Sequence, residues 1–215
     1  MDATLERIGL VGVIPVVVMD DPRDAPALLE ALAAGGLPMA EITFRTAAAA
    51  EAIAAATRAH PDALIGAGSV LTPEQVDAAV DAGARFVVSP GLEATVVERT
   101  RHRGATPLPG CSTASDLMHA WRLGLDTVKF FPSEPLGGLT MLRALAAPFP
   151  GMRFVPTGGV GQSNLESYLA EPRVLAVGGS WMVPRAALEA REWAVVTGDA
   201  RAASAAVRRA RASHP

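Results

Sequence analysis

The stretch IPVVVMDDPRD, residues 14–24, decides the fold class. It begins as an apolar, β-branched run of strand character and passes directly into acids and a proline. A doubly wound dinucleotide-binding sheet places a glycine-rich turn after its first strand, because the backbone there must approach a pyrophosphate. No glycine follows this run. The chain instead keeps its paired glycines for the far end, in PTGGVGQSN (156–164) and AVGGSWMVP (176–184). Between the two ends lie further runs of the first kind: AEITFR (40–45), LIGAGSV (64–70), RFVVSP (85–90), TPLPG (106–110), TVKFF (127–131), RFVPTGG (153–159) and VLAVGG (174–179). They recur roughly every 23 residues, close to a minimal strand-plus-helix unit, and Ala/Leu-rich helical segments separate them. Eight such units with no linker predict a single α/β domain over residues 1–215, a (β/α)8 TIM barrel with helical segments at its N- and C-terminal ends.

The punctuation agrees with this. In LTPEQ, Thr72 is placed as an N-cap, with Pro73 at the first helical position and Gln75 closing a capping box. SNLE repeats the pattern with Ser163 and Glu166. Helical segments end on glycine in AAGG (33–36), DAG (81–83) and RLG (122–124). The Ala/Arg-rich segment from Asp199 to Ser213 has helical composition and is expected to pack on the outside.

Composition excludes several classes. Half of the 215 residues are hydrophobic and the formal net charge is -3, so there is no basic footprint for nucleic acid or an anionic membrane. A single cysteine, Cys111, forbids an internal disulfide and fits a reducing compartment; without a nearby histidine it reads as a small core residue. His60, His102, His119 and His214 are scattered, so no metal is expected. The apolar run from Ile8 to Met19 is too short to span a bilayer and lacks the flanks of a signal peptide. It is expected to be a buried strand, and the protein to be cytoplasmic.

Lys129, in the sixth run, is the only lysine in a chain with 19 Lys+Arg residues. Alternate strand residues face opposite ways, so Lys129 and Phe131 share one face of TVKFF while Val128 and Phe130 share the other. The apolar pair suits the helix layer, which points Lys129 inward. By the same parity Glu41, Thr43 and Arg45 share the inner face of AEITFR. Strands two and six lie across a ring of eight, so Glu41 and Lys129 are expected to meet, with Arg45 roughly 13 Å nearer the C-terminal rim at about 3.3 Å per residue. Arginine keeps its proton at working pH, whereas a desolvated amine can lose it and attack a carbonyl to form an imine. That chemistry accepts Lys and rejects Arg. A buried Lys–Glu pair that only holds the core together is the alternative, although arginine would serve that role equally well.

The two glycine pairs fall in the loops after strands seven and eight. In barrels these loops commonly bind phosphate through backbone N–H groups, and Ser180 could add a hydroxyl. Ordinary turn chemistry would also favour glycine there. Trp121, Trp181 and Trp193 are expected to pack, with Trp181 able to cover the loop beside Ser180.

Taken in order, EITFRT, GAGSVLTPEQ, VSPGL, VKFFPSE, PTGGV and GGSWMVP resemble the bacterial 2-keto-3-deoxy-6-phosphogluconate (KDPG) aldolase family, whose members are often also 4-hydroxy-2-oxoglutarate aldolases. The likeness runs from about Gly12 to Leu188. It implies a class I, metal-independent and cofactor-free lyase of carbohydrate metabolism, a homotrimer acting on a phosphorylated keto acid. Lys129 would form the Schiff base and Glu41 would act as acid/base through a bound water. Arg45 would hold the pyruvyl carboxylate, Phe131 would pack on the imine and Pro90 would line the site. Gly158, Gly159, Gly179 and Ser180 would bind the 6-phosphate. Ser69 stands where the family usually has threonine; the hydroxyl survives and a methyl is lost. Galactonate-series relatives carry valine at the place of Thr157, so a threonine there favours the gluconate-series substrate. Rival functions are a galactonate-series aldolase, a phosphate-binding barrel isomerase without a covalent intermediate, and a non-catalytic phosphosugar-binding barrel.

Overall fold

Ile8 to Met19 looks continuous in sequence, yet the backbone breaks it at Gly12. In the computed structural model, which describes residues 2–212, the run is divided between a helix, α1 (Ala3–Val11), and a strand, β1 (Val13–Val17). Gly12 adopts φ 81, a left-handed conformation open mainly to glycine, and its N–H donates to the Ile8 carbonyl. The strand expected for the whole run is thereby corrected: Ile8 to Val11 finish a helix.

From β1 the chain alternates as the spacing predicts. α2 (Ala25–Ala34), β2 (Met39–Thr43), α3 (Ala49–Ala59) and β3 (Leu64–Gly68) come first. α4 (Pro73–Asp81), β4 (Phe86–Ser89), α5 (Ala94–His102), β5 (Thr106–Cys111) and α6 (Ala114–Arg122) follow. β6 (Thr127–Phe130), α7 (Gly138–Ala146), β7 (Arg153–Pro156), α8 (Leu165–Leu169), β8 (Val177–Gly179), α9 (Arg185–Glu189) and α10 (Trp193–Ala212) complete it. Thr72 caps α4 as expected, accepting from the Gln75 N–H at 3.3 Å, while the Gln75 side chain accepts from the Leu71 N–H. The C-terminal segment is helical through Ala212; Ser213 and His214 lie outside the described residues.

All strand pairs are parallel, in the order β7-β6-β5-β4-β3-β2-β1-β8. Parallel bridges Phe154↔Val174 and Thr157↔Gly178 join the two ends, so the sheet closes into a (β/α)8 barrel. Strand parity sorts the core into two shells. Ala40, Ile42, Val128 and Phe130 belong to the outer cluster beneath the helices. Ile14, Met39, Leu64, Phe86, Leu108 and Val155 fill the barrel itself.

The N-terminal end of the barrel is plugged. Leu5 and Ile8 of α1 join the inner cluster, each contributing on the order of 1.5–3 kcal/mol by burial. Asp2 ties the start of the plug to the barrel: its carboxylate caps α1 at the Thr4 N–H (2.7 Å) and accepts from the Thr106 hydroxyl on β5 (2.8 Å). The mouth at the C-terminal ends of the strands therefore remains as the way in.

Inside, β3 contributes Gly66, whose missing side chain is filled by the Phe86 ring of β4. A Cβ there would overlap that ring. Gly66→Ala is expected to cost about 1–3 kcal/mol through overpacking. Gly151→Ala, at a position with open space around it, should stay within about 0.5 kcal/mol of the parent. Urea-unfolding midpoints of the two variants check this, and equal midpoints would contradict the packing described.

Candidate active site

Two charged side chains meet in the barrel where the alternation of β2 and β6 sends them. Lys129 Nζ lies 3.6 Å from Glu41 Oε1, with the side chains only 8% and 3% exposed. That is an ion-pair distance, longer than a hydrogen bond. The room for Glu41 comes from the adjacent strand. Gly68 pairs with Thr43, and a Cβ on Gly68 would run into the Glu41 carboxylate. Beside Lys129 across the β5–β6 ladder stands Gly110, where a Cβ would strike the Pro90 carbonyl. Two glycines thus let the strands crowd around the pair. Phe131, just past the end of β6, places its ring centroid 4.9 Å from Nζ, within cation–π range.

Phe131 also lines a cavity of about 420 Å³ that opens to solvent, whose lining does not include Lys129 or Glu41. Arg45, Phe131, Thr157, Gly158, Gly159, Gly179 and Ser180 all line it. Arg45 lies two residues beyond β2 and is exposed at the rim, as its distance from Glu41 along the strand requires. Ser69 and Pro90, like Lys129 and Glu41, lie outside this lining. Ser69 follows β3 at φ 54, a strained value for a non-glycine residue. Pro90 borders a separate cavity of about 260 Å³ together with Leu71 and Gly91.

The glycine loop after β7 is braced by residues that sequence reasoning missed. Gly158 and Gly159 adopt φ 96 and 80. The carbonyls of Thr157 and Gly158 accept from the backbone N–H groups of Ser133 and Glu134, at 2.8 and 2.9 Å. Tyr168, buried on α8, donates its phenol proton to Glu134 and lies 2.7 Å from the Ser133 hydroxyl, which then acts as donor. Burial first, and then the bond to Glu134, push the phenol up to about 12. The loops after β6 and β7 are thus stitched into one unit. No spacing could reveal this, because Ser133 and Tyr168 are 35 residues apart.

The capping expected at Ser163 and Glu166 takes another form. Asn164 occupies the N-cap position of α8, and its side chain does not cap the helix. It reaches back to the glycine loop instead, accepting from the Gly161 N–H (2.8 Å) and donating to the Gly159 carbonyl (3.2 Å). Glu166 pairs with Arg209 of α10. Asn164 wins because a glycine-rich turn leaves backbone groups unsatisfied beside it. In the last loop, the Trp181 ring covers Gly179 so closely that no Cβ would fit.

Cys111 is buried, and its thiol is pushed up to about 12 by burial and then by the Asp116 charge, which leaves almost no thiolate. Among the described residues no group of three or more His, Cys, Asp or Glu side chains could hold a metal ion. None of the described helices is long and apolar enough to cross a membrane.

A buried amine, a carboxylate beside it and a glycine-rimmed mouth are joined by a direct match: the family model for KDPG and KHG aldolase covers residues 5–198. The chain belongs to this aldolase family. It is 48% identical over 197 residues to 2-dehydro-3-deoxy-phosphogluconate aldolase of Treponema pallidum, covering 92% of this chain and 94% of that protein. It is 43% identical over 191 residues to the KHG/KDPG aldolase of Escherichia coli K12, covering 89% and 90%. A solved structure of KDPG aldolase from Legionella pneumophila, with pyruvate captured at low pH as a covalent carbinolamine intermediate, superposes with a TM-score of 0.89 at 40% identity. That superposition covers 93% of this chain and 97% of that one.

Proposed function

We propose that the protein is a class I aldolase that cleaves 2-keto-3-deoxy-6-phosphogluconate to pyruvate and glyceraldehyde 3-phosphate through an imine on Lys129. The observation that carries this reading is the buried pair of Lys129 and Glu41, whose amine faces the Phe131 ring that lines a cavity with Arg45 and the glycines. The carbinolamine trapped on pyruvate in the Legionella pneumophila relative supports the same chemistry. The KHG/KDPG name of the Escherichia coli relative supports 4-hydroxy-2-oxoglutarate as a second substrate, cleaved to pyruvate and glyoxylate.

The steps follow from the placement of the groups. Lys129 passes a proton to Glu41, its neutral amine adds to the C2 ketone, and the carbinolamine hydroxyl takes that proton back and leaves as water, giving a protonated imine and an ionised Glu41. Arg45, at the rim, pairs with the substrate carboxylate and sets which way the chain lies. Glu41, 3.6 Å from Nζ, acts through a water and takes the C4 hydroxyl proton. The C3–C4 electrons flow into the imine, the aldehyde leaves and an enamine remains. Protonation at C3 and hydrolysis release pyruvate and return the amine. Phe131 covers one face of the imine, and Ser69 and Pro90 close the sides of the site. Gly158, Gly159, Gly179 and Ser180 hold the phosphate with backbone N–H groups and a hydroxyl.

A structural ion pair and a binding-only barrel differ from this in one measurable respect. Borohydride added with pyruvate should reduce an imine and raise the intact mass. With one lysine in the chain the adduct is almost self-assigning. Lys129→Arg should give no adduct and less than about one per cent of wild-type cleavage. Glu41→Gln should still form the adduct but exchange the pyruvate methyl protons in heavy water roughly a hundredfold more slowly. Absence of a pyruvate-dependent adduct in the wild type would remove the aldolase reading, and wild-type exchange in Glu41→Gln would remove Glu41 from proton transfer.

Thr157 is proposed to read the C4 configuration. It is buried at the cavity wall, and its hydroxyl makes only a long contact of 3.4 Å to the Val155 carbonyl, so it is available to a substrate hydroxyl. The gluconate-series substrate should be favoured over its C4 epimer, and Thr157→Val should erode the preference about tenfold or more. Comparing kcat/KM for both epimers tests this, and an unchanged ratio would leave the galactonate series as an equal candidate.

The assembly is proposed to be a homotrimer. Its support is the family likeness, together with an apolar face where Trp121 and Met118 stand 70% and 53% exposed. Sedimentation at the mass of a single 22.2 kDa chain would remove this proposal.

A further inference from the structure

Arg185 faces two cavities at once. It lines the 420 Å³ cavity of the candidate active site with Gly179 and Ser180. It also lines a neighbouring cavity of about 340 Å³, whose walls carry Asp20, Asp21, Asp24 and Glu189. In the present arrangement its guanidinium is turned to the acidic side, with Nε 2.7 Å from Glu189 and a terminal nitrogen 3.7 Å from Asp20. The side chain is 77% exposed and the Glu189 side chain 62%. Exposed pairs of this kind contribute little, because water and salt screen them, so exchanging partners costs little.

The active-site cavity supplies the reason to exchange. Among the described residues that line it, the charged ones are Arg45 and Arg185, and none is a carboxylate. Arg45 is committed to the carboxylate end of the substrate. A phosphate dianion at the other end would meet neutral donors from the glycine loops and the Ser180 hydroxyl, with no cation to balance two charges. Arg185 begins α9, five positions beyond Ser180, and its planar fork suits phosphate oxygens.

We propose that Arg185 is a specificity-determining residue that leaves Glu189 and Asp20 to pair with the distal phosphate of the substrate. The two carboxylates then tune phosphate affinity by competing for it. This rests on the assignment of Gly158, Gly159, Gly179 and Ser180 to phosphate.

The test compares Arg185→Gln and Glu189→Gln with the wild type in steady-state cleavage of 2-keto-3-deoxy-6-phosphogluconate. Pyruvate proton exchange, which involves no phosphate, serves as the internal reference for each variant. Arg185→Gln should raise KM for the phosphorylated substrate about tenfold relative to that reference, the usual effect of one charge-assisted contact at a wet site. Glu189→Gln should act in the opposite direction and lower KM about two- to threefold, since it releases the arginine. A rise in KM for both variants would show that Arg185 and Glu189 only clasp the loop together, and would overturn the proposal. An unmoved KM in Arg185→Gln would overturn it as well. The wild type is also measured on the substrate lacking its phosphate. If it shows no preference for the phosphorylated form, the phosphate assignment itself falls; if the preference is present and Arg185→Gln leaves it intact, Arg185 alone is wrongly assigned.

Discussion

An ammonium and a carboxylate held 3.6 Å apart inside a barrel constrain everything around them. Each ion loses several kcal/mol of hydration on burial, and their attraction repays that only when they are held close and the site is tight. Closeness requires strands that can crowd. Gly68 gives Glu41 its space and Gly110 lets the Pro90 turn lean against the ladder that carries Lys129. The helical plug formed by Leu5 and Ile8 shuts the opposite end of the barrel. With that end filled by described residues, the approach to the pair is from the mouth, where the arginines and the glycines stand.

The site divides by depth. Lys129 and Glu41 lie below, where low polarity strengthens every charge interaction and an amine can react as a nucleophile. Arg45, Ser180 and Arg185 line the cavity that opens to solvent, where the proposed substrate ends would displace water. The wall between is backbone: Gly158 and Gly159 in left-handed conformations, held by Asn164 and by the Ser133–Tyr168–Glu134 contacts. The proposed phosphate role would require such bracing, since glycine alone would leave the loop mobile.

Much of this was legible in the chain itself. The period of the β-branched runs gave the barrel. Strand alternation sent Glu41 and Lys129 inward and kept Ile42, Val128 and Phe130 for the helix layer, as the two core clusters show. A lone lysine among arginines pointed to the amine. Other features were hidden. Gly12 looks like any residue of an apolar run until its left-handed φ ends α1 and frees that helix to plug the barrel. Ser163 and Glu166 fit a capping pattern, but the neighbouring Asn164 was drawn to the unsatisfied backbone of the glycine loop. Arg185 follows a proline in an unremarkable helical segment, with no local sign that it borders the same cavity as Arg45.

The sequence by itself determined what is periodic or singular: eight repeated units, the inward parity of two strands, one lysine, and two glycine pairs, of which the first follows β7 as expected while the second, expected in a loop, ends β8. These survive without coordinates because strand geometry fixes the direction of each side chain from its position in the run. The tertiary structure alone decided which distant residues meet. Closure of the sheet joins β7 to β8 and sets Thr157 beside Gly178. It gathers Phe131 and Ser180 around one cavity with Arg45 and Arg185, and it lays Tyr168 against Ser133. Such meetings depend on strand order and barrel stagger, which are properties of the closed sheet as a whole and leave no mark in any local stretch of sequence.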